Sequence, residues 1–194
     1  MSTLAVQLFE GEKIRLTALD VEKDAEVVAR WTLDPDYGRL TSSKPARPLS
    51  PMQVKKAMEE QVKEAREKRH RFDFAIRLKA ATRADERLLG LVTIEGIEWT
   101  HRHGWLSLSI GAAADRGMGY GGEALKLIVR YAFHELNLYR LNAIGYEDNA
   151  RGLAFLQRRG FEIEVRRREA IYRAGRRWDE VRLGLLREEW KSEA

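Results

Sequence analysis

Residues 13–19 (KIRLTAL) alternate apolar and polar side chains, which predicts a short strand, and Asp20 then stands as the cap of a helix over residues 21–31. Residues 34–51 contain all four prolines of the chain and predict a mostly irregular loop. Ser50, with Pro51 at the first helical position, opens a second helix that runs to about residue 68 and carries Lys and Glu at i, i+4 spacing. Strand-like runs follow at 72–78, 88–97 and 104–110, separated by turn-prone or charged segments, as in an antiparallel meander. In residues 123–136, Leu125, Ile128, Val129, Ala132, Phe133 and Leu136 fall on one helical stripe, suited to packing on a sheet. Residues 138–146 read as a strand and Asn149 caps a helix ending at Gly160. The runs 161–173 and 176–186 then form a hairpin about Ala174-Gly175. There is no internal repeat, and the order of elements predicts one α+β domain over residues 1–194.

With 44% hydrophobic residues the chain has enough apolar material for one sizeable core, which excludes global disorder. The absence of cysteine excludes disulfides, thiolate-held metals and a thiol nucleophile. The four histidines lack carboxylate partners at metal-ligand spacing, so no metal is expected. The start of the chain has neither the basic segment nor the apolar core of a signal peptide, and no run approaches the ~18 apolar residues of a membrane span. A cytoplasmic protein without membrane attachment is the expectation.

The net charge of +5 admits nucleic acid, anionic lipid or a phosphorylated small molecule as partner. Its distribution narrows the choice. Residues 151–177 contain nine arginines against three glutamates, a local +6, so the rest of the chain sums to −1. A general nucleic-acid binder more often spreads cations along a helix or tail with stacking aromatics between them. Charge confined to one late segment argues instead for a local anionic ligand.

Residues 116–122, Arg-Gly-Met-Gly-Tyr-Gly-Gly, lie between a strand ending near Gly111 and a helix start. Unpaired amides and the helix dipole favour an anion there, and glycines let it approach. The stretch is not a Walker A loop, because no Gly-Lys-Ser/Thr follows, and it lacks dinucleotide-fingerprint spacing.

Arg116-x-x-Gly119-x-Gly121, followed by Gly122-Glu123-Ala124, resembles the acetyl-coenzyme A pyrophosphate loop of the GNAT N-acetyltransferases. Asn149-Ala150-Arg151 through Leu156-Gln157-Arg158-Arg159-Gly160-Phe161 resembles the second family signature, and the likeness extends from Ile14 to about Leu186. The ending, from Arg168 through Trp178-Asp179-Glu180-Val181 to Trp190, resembles the branch that acetylates ribosomal-protein N-termini (Rim-type) and its polyamine-acetylating relatives. The resemblance implies a central, mostly antiparallel mixed sheet of about seven strands with helices on both faces.

It also implies direct transfer of an acetyl group from acetyl-CoA to a primary amine, in a ternary complex and without a metal. The amine would belong to a protein N-terminus or a small molecule. Implied cofactor contacts are Ile110, Gly111, Arg116, Gly117, Met118, Gly119, Tyr120, Gly121, Gly122 and Glu123 on the loop side, with Asn149, Arg151, Phe155 and Arg158 on the following helix. The amide near Ile110 would face the thioester oxygen, with Ser107 and Ser109 edging the acceptor channel. Many relatives place a tyrosine acid where this chain has Leu156, which leaves Tyr146, Tyr120 or water; Glu95 is the first choice of base, with Glu98 and Glu147 behind it. Trp31, Asp34 and Tyr37, and the turn carrying Trp99 and His101, would flank the acceptor entrance. Three alternatives stand beside this reading: a silent CoA-binding regulator, a polyamine acetyltransferase and a basic nucleic-acid-binding module. The exposed edge of the final hairpin is a candidate for pairing in a homodimer.

Overall fold

The computed structural model describes residues 7–191; Met1–Val6, part of the segment inspected for a leader, lie outside the described residues. Seven strands form one sheet: β1 (Ile14–Thr17), β2 (Phe72–Leu78), β3 (Leu88–Glu98), β4 (His103–Ile110), β5 (Arg140–Tyr146), β6 (Glu162–Arg173) and β7 (Arg176–Leu186). Their order is β1-β2-β3-β4-β5-β7-β6. All neighbours are antiparallel except β4 and β5, which run parallel and pair only at His103–Arg140, Gly104–Leu141 and Trp105–Asn142. Beyond Trp105 the two strands separate. β6 is an edge strand whose pairing with β7 is interrupted between Ile163 and Val165 and again between Arg167 and Ile171.

Five helices dress the sheet: α1 (Val21–Trp31), α2 (Pro35–Thr41), α3 (Pro51–Lys68), α4 (Tyr120–Arg130) and α5 (Ala150–Gln157). On one face, α4 and its π-helical continuation Tyr131–Glu135 press Leu125, Ile128, Ala132 and Phe133 onto Leu89, Val92, Ile94, Leu141 and Leu183, and Leu153 and Phe155 of α5 join that core. Burial of these side chains at about 1.5–3 kcal/mol each supplies the main driving force of the fold. On the other face α1 and α3 enclose a smaller cluster of Val28, Trp31, Val54 and Met58 over Ala75 and Leu88. That cover reaches β2 and β3 and leaves the same face of β5, β7 and β6 open, with Ile144 43% and Val165 47% exposed.

Two boundaries correct the pattern-based expectations. Residues 34–51 are not all loop, since α2 occupies Pro35–Thr41. Proline at N1 gives up no helical hydrogen bond, and Asp34 caps the turn by accepting from the Asp36 N–H. The long helix begins at Tyr120, not after the glycines, so Gly121 and Gly122 form its first turn. Among the described residues no helix is long and apolar enough to cross a membrane, and no three His, Cys, Asp or Glu groups are placed to hold a metal.

α1 is anchored to the sheet through a buried charge. Asp24 is 1% exposed and both its oxygens accept from Arg77 Nη2 at 2.9 Å. Asp24→Ala leaves the Arg77 guanidinium buried without its counter-charge and is expected to cost about 3–5 kcal/mol of unfolding free energy in urea titration. A loss below 1 kcal/mol would show that α1 is held by its apolar face alone.

Candidate functional site

The opening between β4 and β5 follows from the hydrogen-bond parity of β4. The Gly111 N–H donates to Leu89 O on β3 at 2.9 Å, and Ser109 and Ser107 share that parity in the β3–β4 register. The N–H groups of Leu108 and Ile110 therefore point away from β3, towards β5, where no strand partner is present beyond Trp105. One wall of a cleft thus presents free amide donors.

The floor of the cleft at its wide end is the glycine turn. Gly117 and Gly119 take positive φ (85° and 90°), and Gly119 is the N-cap residue of α4. Among the described residues the N–H groups of Gly117 through Gly121 have no hydrogen-bond acceptor, whereas those of Gly122 and Glu123 return to Gly119 O. Five free amides at the positive end of an 11-residue helix make an anion cradle. A Cβ at Gly119 would touch nothing within 4 Å; one at Gly117 would stand 2.6 Å from Arg151 Nη2, and one at Gly122 2.5 Å from Arg159 Nη2. Two guanidiniums without ion-pair partners among the described residues therefore flank the cradle. Phe155 sits between them on the same stripe of α5, against Gly121. Arg151, Arg158 and Arg159 are all exposed, and it is Arg159, eight residues from Arg151, whose guanidinium stands beside Gly122.

Other predicted contacts are committed elsewhere. Glu123 accepts from the Lys13 backbone N–H at 3.0 Å and so faces β1. Arg116 bonds Ile110 O (3.2 Å), Gly111 O (2.6 Å) and Asp34 Oδ2 (2.9 Å), which makes it a tie between the glycine turn, the end of β4 and α2. Asn149 caps α5 through the Gly152 N–H (2.9 Å) and donates Nδ2 to Leu40 O (3.4 Å). Met118 and Tyr120 flank Gly119, the former 56% exposed and the latter packed on the core.

α2 and residues 42–43 cross the cleft as a strap. Asp34 meets Arg116 and Tyr37 bonds the Ser109 side chain on the β4 side. Leu40 meets Asn149, Ser43 bonds Tyr146, and Arg173 donates to Ser42 O on the β5 side. Trp31 is 6% exposed, packs with its ring tilted 5.6 Å from that of Tyr37 and lies against Gly111 as support beneath the strap. Burial pushes the Tyr37 phenol up, against its bond to Ser109 and the Arg116 charge. Burial likewise raises Tyr146, against Ser43 and the Arg173 guanidinium 4.6 Å over its ring. Both hydroxyls stay protonated at neutral pH. One lies on each wall.

Trp99, His101 and Glu95 are not brought to this mouth. Trp99 and His101 belong to the β3–β4 turn, at the start of β4, where Trp99 Nε1 donates to Arg69 O and packs on Phe72. Glu95 pairs with Trp105 at the closed end of the cleft, and its carboxylate accepts from Arg71. Glu98 lies 3.8 Å from His103 in the same turn, and Glu147 Oε2 accepts from the Asp179 N–H.

A family profile described as an acetyltransferase (GNAT) domain matches residues 13–162. The Bacillus subtilis protein YokL, named an uncharacterized prophage-derived N-acetyltransferase, is 25% identical over 189 residues, 97% of this chain and 98% of that one. Bacillus subtilis YdaF, provisionally named a ribosomal N-acetyltransferase, is 28% identical over 116 residues; the match spans 60% of this chain and 63% of YdaF, less than two thirds of its length. Among solved structures, a Vibrio cholerae spermidine N-acetyltransferase in complex with CoA and spermine superposes with TM-score 0.76 at 19% identity, covering 91% of this chain and 97% of that one. RimL, a ribosomal L7/L12 α-N-protein acetyltransferase in complex with coenzyme A, gives TM-score 0.76 at 15% identity, covering 91% and 95%. These two share the fold.

Burial opposes ionisation of Asp34, yet the Arg116 hydrogen bond and the amides of Asp36 and Tyr37 hold its carboxyl below the usual range. A depressed carboxyl stabilises above its unfolded value of about 3.9 and loses that contribution as pH falls through the lowered one. In a carboxyl-resolved NMR titration, Arg116→Ala is expected to move the Asp34 midpoint upward and to speed amide exchange at Asp36 and Tyr37. An unchanged midpoint would mean that the strap is held without this tie.

Proposed function

The chain belongs to the acetyltransferase (GNAT) family and is an N-acetyltransferase, and we propose that it uses acetyl-CoA to acetylate a primary amine directly, either a protein N-terminal α-amine or a small amine. The observation that carries the choice of donor is the five-amide cradle at Gly117–Gly121 flanked by Arg151 and Arg159. A diphosphate fits it, because the cradle is open at Gly119 and holds cationic donors on the α5 side. Acetyl-CoA supplies the activated thioester. Phe155 meets Leu108 and Ile110 around Gly121 and walls the cleft on the α5 side.

The residues of the cleft divide the remaining tasks. The Leu108 and Ile110 amides donate to the carbonyl oxygen as negative charge develops on it, a contribution of about 2.7–4 kcal/mol per donor in comparable sites. No cysteine and no covalent relay are required, since the amine attacks directly. Tyr146 is the proton donor towards the departing sulfur from the β5 wall, in place of the tyrosine that Leu156 replaces, and the Tyr37–Ser109 pair orders the opposite wall. Glu95, bonded to Arg71, can serve as base only for a proton delivered along the cleft through water.

Acetyl-CoA at 100-fold excess over its dissociation constant is expected to stabilise the fold by about 2.7 kcal/mol in thermal melting. Gly119→Val, which forces a β-branched residue to positive φ in the cradle, is expected to remove that shift, and Arg151→Ala with Arg159→Ala to reduce it. Melting indifferent to acetyl-CoA sinks the donor assignment. Tyr146→Phe is expected to lower kcat by about 10²-fold with KM nearly unchanged, as for loss of a proton donor; a variant with wild-type kcat in thiol-release assays would transfer the role to Tyr37 or water.

A further inference from the structure

The open face beside the cleft bears on which amine is acetylated. Directly paired residues of an antiparallel ladder share a face, so the register puts Asn142, Ile144 and Tyr146 of β5 with Arg182, Glu180, Trp178 and Arg176 of β7 on one side of the sheet. The same register adds Val165, Arg167 and Arg173 of β6. Trp105 of β4 belongs to this side, its ring 5.9 Å from the Arg182 guanidinium. This is the side that the strap crosses and that α1 and α3 leave uncovered beyond β4.

Its charge is lopsided. Arg167 Nη1 (2.8 Å) and Arg182 Nε (3.3 Å) both donate to the same oxygen of Glu180, which is 8% exposed, so one carboxylate answers two guanidiniums. The Arg167 and Arg182 side chains remain 52% and 42% exposed, with donors left over. Arg176 lies 3.3 Å over the Trp178 ring and has no ion pair among the described residues. Nearer the cleft, Asp34 is claimed by Arg116 and Asp148 by Arg173. Arg168 and Arg177 of the hairpin and Arg39, Lys44 and Arg47 of the strap segment also lack ion-pair partners among the described residues.

A polyamine needs several free carboxylates at the mouth; there Asp34 and Asp148 are already neutralised by arginine, which leaves Asp36 and Glu147 against the larger set of unpaired arginines among the described residues. A peptide chain needs an open floor with apolar footholds, which Ile144 and Val165 supply. Resting on the acetyltransferase reading, we propose that the acceptor is the α-amine of a protein N-terminus followed by acidic residues, laid across the β5–β7–β6 face with its carboxylates on Arg167, Arg182 and Arg176. Arg182 on β7 and Arg167 on β6 lie one and two strands beyond the β5 wall, about 5 and 10 Å or two to three extended residues, and Arg176 lies about 20 Å farther along β7 from Arg182. The acidic positions that matter are therefore about the third to the fifth of the acceptor.

Three C-terminally labelled peptides with identical first two residues and Asp/Glu, Ser/Gly or Lys at positions 3–6 are titrated by anisotropy into the CoA-loaded protein. Thiol release from acetyl-CoA is followed with the same peptides unlabelled and with spermidine. The acidic peptide is expected to bind at least 10-fold more tightly than the neutral one, and the lysine peptide and spermidine most weakly. The preference should shrink between 50 and 500 mM salt. Arg167→Gln/Arg182→Gln should abolish it while leaving the acetyl-CoA melting shift intact, which confirms that the variant is folded; Arg176→Gln alone should reduce it. Equal or tighter binding of the neutral or lysine peptide, a preference for spermidine, or a preference that survives the double variant overturns the proposal. Absence of both an acetyl-CoA melting shift and thiol release with every acceptor would instead overturn the acetyltransferase reading.

Discussion

Three residue pairs are all that join β4 to β5, and the remainder of the architecture answers that shortage. An amide left unpaired inside a protein costs free energy comparable to a lost hydrogen bond, so strands do not part company without something to take the freed donors. Here Leu108 and Ile110 offer N–H groups into a gap whose wide end is the N-terminus of α4, itself with five uncommitted amides. Both sets of donors serve one purpose if a single ligand threads the gap, with its anionic end on the glycine turn and its polarisable carbonyl at Ile110. The strap then has to span strands that no longer hold each other. Its ties to Arg116 and Ser109 on one wall and to Asn149, Tyr146 and Arg173 on the other replace the missing ladder with side-chain bonds.

Much of the fold is legible in the sequence because its elements obey simple periods. Residues 105–110 of β4 alternate cleanly, and the Leu125–Phe133 stripe has the spacing of a helix on a sheet. What is not legible has local causes. Prolines counted as breakers hide α2, although at N1 proline does no harm to a helix. Periodicity does not reveal which end of β4 is splayed, so Trp99 and His101 look as eligible as Tyr37 for the mouth. Arg158 and Arg159 are adjacent, and a one-residue difference on a helix turns a side chain by about 100°, enough to decide which of the two stands beside Gly122.

The cation surplus of residues 151–177 looks uniform as a count and is heterogeneous in space. Arg166 and Arg173 are answered by Asp179 and Asp148, and Arg167 shares Glu180 with Arg182, which lies outside the counted stretch. Arg151 and Arg159 belong to the glycine turn, more than one turn of backbone away from the hairpin arginines. One basic segment thus divides into a pair beside the glycine turn, a set of structural ion pairs and a residue of unsatisfied charge on the open face. Net charge alone merges these three roles, and only the pairing partners separate them.

The interruptions in β6 have a consequence for the protein in a crowded solution. A 12-residue edge strand would ordinarily be a template on which another chain could add hydrogen bonds without limit. Its ladder is kinked at two places, and Arg166, Arg167 and Arg168 fall beside the second kink. A copy of the same strand would have to match two irregularities while bringing like charges together. The irregular ladder and the clustered arginines therefore disfavour strand addition along an edge that is almost wholly exposed to water.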